Sequence, residues 1–197
     1  MKLKQQAIPL LTVIALSISG VAQAALIDRG NGLIYDDVLD VTWLQDANYA
    51  RTSGYDADGL MSWTAANIWA ANLSYEGYDD WRLPALTDTG GPGCDFSNNG
   101  TDCGYNVDTA FSELAYMYHN NLGLTSQLST SGAVQADYGI FGNGTYNGTD
   151  LSSFSENDFV LVQNLQSYAY WFAPPYTPSP SNAWAFITGI GYQFSGN

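Results

Sequence analysis

Lysine is nearly missing from this sequence. The only two, Lys2 and Lys4, stand at its start, and three arginines (Arg29, Arg51, Arg82) face nineteen acids, for a formal net charge of −14. Nucleic acids and anionic polysaccharides are held by neutralising their charge with Lys and Arg, so this balance argues against both as partners. A P-loop or a Ser-x-x-Lys nucleophile needs a lysine, and beyond residue 24 there is none to serve either. Histidine is equally scarce. His119 stands alone, with no Cys, Asp or Glu at a metal-ligand spacing, and reads as a packing or surface residue. No Gly-x-Ser-x-Gly elbow occurs.

Long apolar runs are also absent, apart from Ile8 to Val21. That run follows Lys2 and Lys4 and ends in Ala22-Gln23-Ala24, the charged, apolar, small-residue order of a secretory signal peptide. It is too short for a permanent transmembrane anchor. Residues 1–24 are therefore expected to be a leader, and residues 25–197 a single domain, since that length suits one core. The expected location is outside the cytoplasm, secreted or at the cell surface, with the periplasm as the other destination. There disulfides persist, so Cys94 and Cys103, the only cysteines, are expected to pair across a short Gly/Asn/Asp-rich loop. They lack the Cys-x-x-Cys spacing of redox sites.

What is present is a regular alternation of short apolar runs and turns. Leu26-Ile27, Leu33-Ile34-Tyr35 and Val41-Thr42-Trp43-Leu44 read as strands joined by tight turns. Ser62 is a candidate N-cap for a helix in which Trp63, Ala66, Ala70 and Leu73 recur at helical spacing. A second helix is predicted from Phe111 to Leu122, ending at Gly123. Pro84 forces Leu83 to be extended. Residues 85–108 and 124–157 read as loops, and Phe159–Val162, Tyr168–Phe172, Ala183–Ile187 and Tyr192–Phe194 as strands around a Pro-rich turn, 174–180.

The blocks Gly32-Leu33-Ile34-Tyr35-Asp36, Thr42-Trp43-Leu44-Gln45-Asp46-Ala47, Asp58-Gly59-Leu60-Met61-Ser62-Trp63, Asp79-Asp80-Trp81-Arg82-Leu83-Pro84, Tyr170-Trp171 and Ala183-Trp184 resemble the Lcl C-terminal-like domain family over roughly residues 30–195. This family, long listed as a domain of unknown function, is common in exported proteins with a PEP-CTERM sorting tail. Trp63, Trp81, Arg82, Leu83 and Pro84 carry its most specific motif. The resemblance implies an α+β, C-type-lectin-like fold: an antiparallel sheet, two helices and long irregular loops. The adhesin that names the family is associated with sulfated glycosaminoglycans, a ligand that the shortage of basic residues argues against here. Relatives add a closing strand and often a sorting tail, neither of which follows Asn197, so the domain is expected to lack its last strand and to leave a sheet edge unpaired. The related formylglycine-generating enzymes use cysteines late in the domain, and Cys94 and Cys103 do not take those places.

The expected function is a non-enzymatic binding or adhesion module for neutral carbohydrate or a cell-surface component. Tyr138, Tyr146 and Tyr176 are the candidate ligand contacts, because aromatic faces among Gly, Ser and Asn make adaptable recognition surfaces. Calcium is the one cofactor left open. Asp56-x-Asp58-Gly59 resembles half of a calcium loop but fails the EF-hand register, which would put Gly54 and Ala65 at ligand positions. Two alternatives stand beside this: a surface-matrix component without a small ligand, and a hydrolase using paired acids such as Asp36-Asp37 or Asp79-Asp80.

Overall fold

The structure is a computed structural model in which residues 26–89, 98, 102–140 and 161–197 are described. The leader, Cys94, Tyr146 and the start of the Phe159–Val162 segment lie outside these residues. The architecture is α+β, with antiparallel sheets and a few short helices.

The first sheet is a meander of β1 (Leu26–Gly30), β2 (Leu33–Asp36) and β3 (Val41–Leu44), in that order. Its first turn is Asn31-Gly32, with φ of 54° and 75°. A type I′ hairpin turn needs positive φ at both positions, which Asn tolerates and Gly adopts freely. The next turn is organised by Asp36, fully buried, whose Oδ1 accepts from the Val38 and Leu39 amides at 3.1 and 3.0 Å. A one-turn helix, α1 (Tyr49–Thr52), follows, and then α2 (Trp63–Asn72). Ser62 caps α2 as expected, its hydroxyl accepting from the Ala65 amide at 3.3 Å. The inward face of α2 is alanine, with Ala66 and Ala70 buried while Ile68 is 54 % exposed.

The second sheet has the order β4 (Gly104–Tyr105), β7 (Tyr192–Gly196), β6 (Ala183–Ile187), β5 (Ala169–Pro175), all antiparallel. β7 lies inside the sheet between β4 and β6. The predicted strands at 168–172, 183–187 and 192–194 are present within a few residues. The strand expected at Phe159–Val162 is not seen at its described end: Leu161 and Val162 belong to no strand. Gln163 forms an isolated parallel bridge with Asp46, two residues past β3. There the Ala47 amide donates to Gln163 O at 2.9 Å, and the Gln163 amide to Gln45 O at 2.7 Å.

The second helix is shorter and less regular than its apolar spacing predicts. Thr109–Phe111 is a 3₁₀ turn, α3 spans Glu113–Tyr116, and Met117–Asn121 is a π turn. The break at Phe111 has a tertiary cause: Ser112 is extended (φ −143°, ψ 110°), bridges Leu86 and caps α3 by accepting from the Ala115 amide. Gly123 ends the helix at φ 66°, as predicted. The core between α3, the π turn and the second sheet gathers Tyr118, Phe172, Trp184 and Phe186 with Ala115 and Val107. Removing each large apolar side chain from water contributes roughly 1.5–3 kcal/mol. A buried polar relay crosses it: Ser112 Oγ donates to Gln193 Oε1 (2.7 Å), and Gln193 Nε2 donates to Asp102 O (2.6 Å).

Candidate ligand-binding site

Side chains alternate across a strand, and on β7 this sends Gln193 into the core while Tyr192 and Phe194 share the opposite face. Their rings stack at 6.3 Å with an interplanar angle of 24°. Tyr105 on β4 is the cross-strand partner of Tyr192, and those rings lie 4.7 Å apart. Three partly exposed aromatics thus form a row on the outer face of the second sheet.

The row is extended by the segment after the second helix. Gln127 is fixed by its amide, which donates to Ile190 O at 2.8 Å, and by its carbonyl, which accepts from the Gln135 amide at 2.9 Å. Its side chain then joins two phenols: Tyr105 Oη donates to Gln127 Oε1 (2.8 Å), and Gln127 Nε2 donates to Tyr138 Oη (3.2 Å). Asn106 Nδ2 ties the end of β4 to Leu128 O at 2.8 Å. Next to β4, Cys103 is fully buried and held in a disulfide; Cys94, its expected partner, lies outside the described residues. Burial pushes the phenols of Tyr105 and Tyr192 above the ordinary tyrosine range, so both stay neutral at physiological pH.

Tyr138 is therefore brought into an aromatic and amide surface, whereas Tyr176 is placed elsewhere. Its ring packs edge-on against Trp184 at 5.0 Å, at the margin of the core. Tyr146 lies outside the described residues. Tyr105, Gln127 and Tyr192 were not singled out from sequence. The Tyr192-Gln193-Phe194 alternation carried a signal, but Tyr105 sits on a two-residue strand with no periodicity of its own.

Asp56 and Asp58 form nested turns. Asp56 Oδ1 accepts from the Asp58 and Gly59 amides (3.1 and 2.8 Å), and Asp58 Oδ1 from Leu60 (2.9 Å). The Gly59 and Asp58 amides hold the Asp56 carboxyl below its usual range. Among the described residues no three His, Cys, Asp or Glu side chains gather as a metal-binding group. Of the acid pairs, Asp36 is buried and bonded to a turn, while Asp79 and Asp80 are exposed.

The Trp-Arg-Leu-Pro motif is a brace for the β5 edge. Trp63 Nε1 donates to Phe172 O, and Trp171 Nε1 donates back to Met61 O, both at 2.9 Å. The Ala173 amide donates to Pro84 O at 2.9 Å. Arg82, which sequence placed beside Asp79 and Asp80, instead grips Glu113 through two bonds of 2.8 and 2.7 Å. Trp81 Nε1 donates to Tyr78 O, with Leu83 lying between these anchors.

No helix among the described residues is long and apolar enough to cross a membrane. In comparison with known proteins, the chain matches no family model, no curated protein and no solved structure.

Proposed function

We propose that this chain is a secreted, non-enzymatic binding module of C-type-lectin-like architecture that holds neutral carbohydrate on the Tyr105–Tyr138–Tyr192 face. The observation that carries this reading is the Gln127 bridge between two phenols beside a stacked aromatic row. Flat rings offer apolar area at low entropic cost, and the amide and phenols offer donors and acceptors at their edges. Neutral phenols and a net charge of −14 suit an uncharged ligand. The resemblance to the Lcl C-terminal-like family supports a lectin-like binding module but not this ligand, since the family's sulfated glycosaminoglycans are anionic.

A glycan array followed by titration calorimetry tests it. Binding to uncharged oligosaccharides is expected, with Tyr105→Ala and Tyr192→Ala each weakening it about tenfold, in keeping with about 1.4 kcal/mol per lost ring. A blank array removes the reading. A second reading, a surface-matrix component without a small ligand, draws on one observation: β1 is an edge strand with four of its five residues exposed, Ile27 at 45 %. Self-association on a sizing column together with a blank array favours that alternative.

A further inference from the structure

The aromatic row lies outside the cavity of about 630 Å³ between the two sheets: none of Tyr105, Gln127, Tyr138, Tyr192 and Phe194 is among that cavity's wall residues. It belongs to a sheet face, which touches a ligand from one side. Sites for single small molecules are concave and cover most of their ligand. On a sheet face, the apolar area removed from water grows instead with the length of ligand laid across it, while the loss of translational and rotational freedom is met once. Such a face favours a chain over a lone ring.

Two features set what can lie where. The row crosses from Tyr105 on β4 to Tyr192 on β7 and continues along β7 to Phe194, with steps of 4.7 and 6.3 Å between ring centres. Each step is comparable to the width of one sugar ring, so the row is longer than a single sugar. Its chemistry is also unequal from end to end. Hydrogen-bonding groups gather at the Tyr105 end, where Gln127 bridges that phenol and Tyr138. Phe194, at the other end, has no polar atom in its side chain, and the residue opposite it on β6 is Ala185. One end can read hydroxyl groups; the other offers apolar area alone.

We propose that the face binds a neutral polysaccharide chain laid along the row, with one unit at the Gln127–Tyr105 end and a further unit against Phe194. This rests on the carbohydrate reading above and extends it: the ligand class is a polymer, and Phe194 is the residue that separates it from a lone sugar.

Titration calorimetry of the full chain with cello-, chito- and malto-oligosaccharides of one to four units tests it. At least one series is expected to bind, with affinity rising about tenfold or more from one unit to three. Phe194→Ala should weaken the trimer about tenfold and leave the monomer unchanged, whereas Gln127→Ala should weaken every length. A flat length dependence, or an equal loss for monomer and trimer in Phe194→Ala, overturns the proposal and leaves the carbohydrate reading standing. If none of the three series binds and the glycan array is blank, both fall together. Should Phe194→Ala not fold, the length dependence of the unaltered chain decides alone: a trimer bound no more tightly than the monomer overturns the proposal.

Discussion

Asp36 shows how one buried carboxylate can link two parts of a chain. Oδ1 closes the β2–β3 turn, and Oδ2 accepts from Asn121 Nδ2 at 2.6 Å, 85 residues away. Asp36→Ala strands those amides, and urea denaturation should show a loss of roughly 2–4 kcal/mol. Asp36→Asn should cost under about 1 kcal/mol, because Asn121 Oδ1 has no partner among the described residues and a flipped Asn121 amide can accept from the new side chain. Equal losses for the two variants would refute this account. His119 provides a pH test. Nδ1 faces Leu124 O, which can only accept, so Nδ1 carries the proton, and Nε2 is buried with no partner among the described residues. Burial lowers the folded pKa below the ordinary 6.5. Below about pH 6.5 the unfolded chain therefore binds a proton that the folded one resists. The stability is fully present above that value and is lost as pH falls toward the depressed folded pKa. Melting temperature should be flat from about pH 8 to 6.5 and decline by about pH 5, above the range where carboxylates titrate. Since His119 is the only histidine, His119→Gln should remove that decline.

At the scale of elements, Glu113 is the fastening between the Trp-Arg-Leu-Pro strap and α3. Its carboxylate accepts from Arg82 and from the Ala85 amide, the latter at 2.6 Å, while its own amide donates to Ala85 O. Arg82 has a side chain 49 % exposed, against 15 % for Glu113. Exposed ion pairs contribute about 0–1 kcal/mol, so the amide bond and the charge at the start of α3 should outweigh the arginine. In thermal or urea unfolding, Arg82→Ala is expected to cost under about 1 kcal/mol and Glu113→Ala about 2 kcal/mol. The reverse order would show that the ion pair dominates. The same elements explain the limits of periodicity. α2 was legible because Ser62 and Trp63, Ala66, Ala70 mark a start and a face. The irregular second helix was not, because the bridge between Ser112 and Leu86 is a tertiary bond that pulls the chain out of the helical path, and the π turn that follows leaves no mark in the apolar spacing.

On the scale of the whole molecule, the two sheets are joined by few direct strand contacts. The Asp36–Asn121 bond, the Asp46–Gln163 bridge and the α2–β5 tryptophan brace carry the connection. An alanine-faced helix between two sheets leaves space in the middle, and the aromatic row lies on the outer side of the second sheet.

The sequence by itself determined the secondary structure wherever local chemistry suffices: the Asn31-Gly32 turn, the Ser62 cap, the Gly123 stop and the strands from Ala183 onward. It also determined the charge, and with it the poor fit to anionic partners. Tertiary structure alone decided which aromatics meet. Tyr138 and Tyr176 look alike in sequence, yet one joins Gln127 and Tyr105 while the other packs on Trp184. The physical reason is that a loop side chain takes its neighbours from the sheet it lands on, and that landing is set by long-range hydrogen bonds with no local signature.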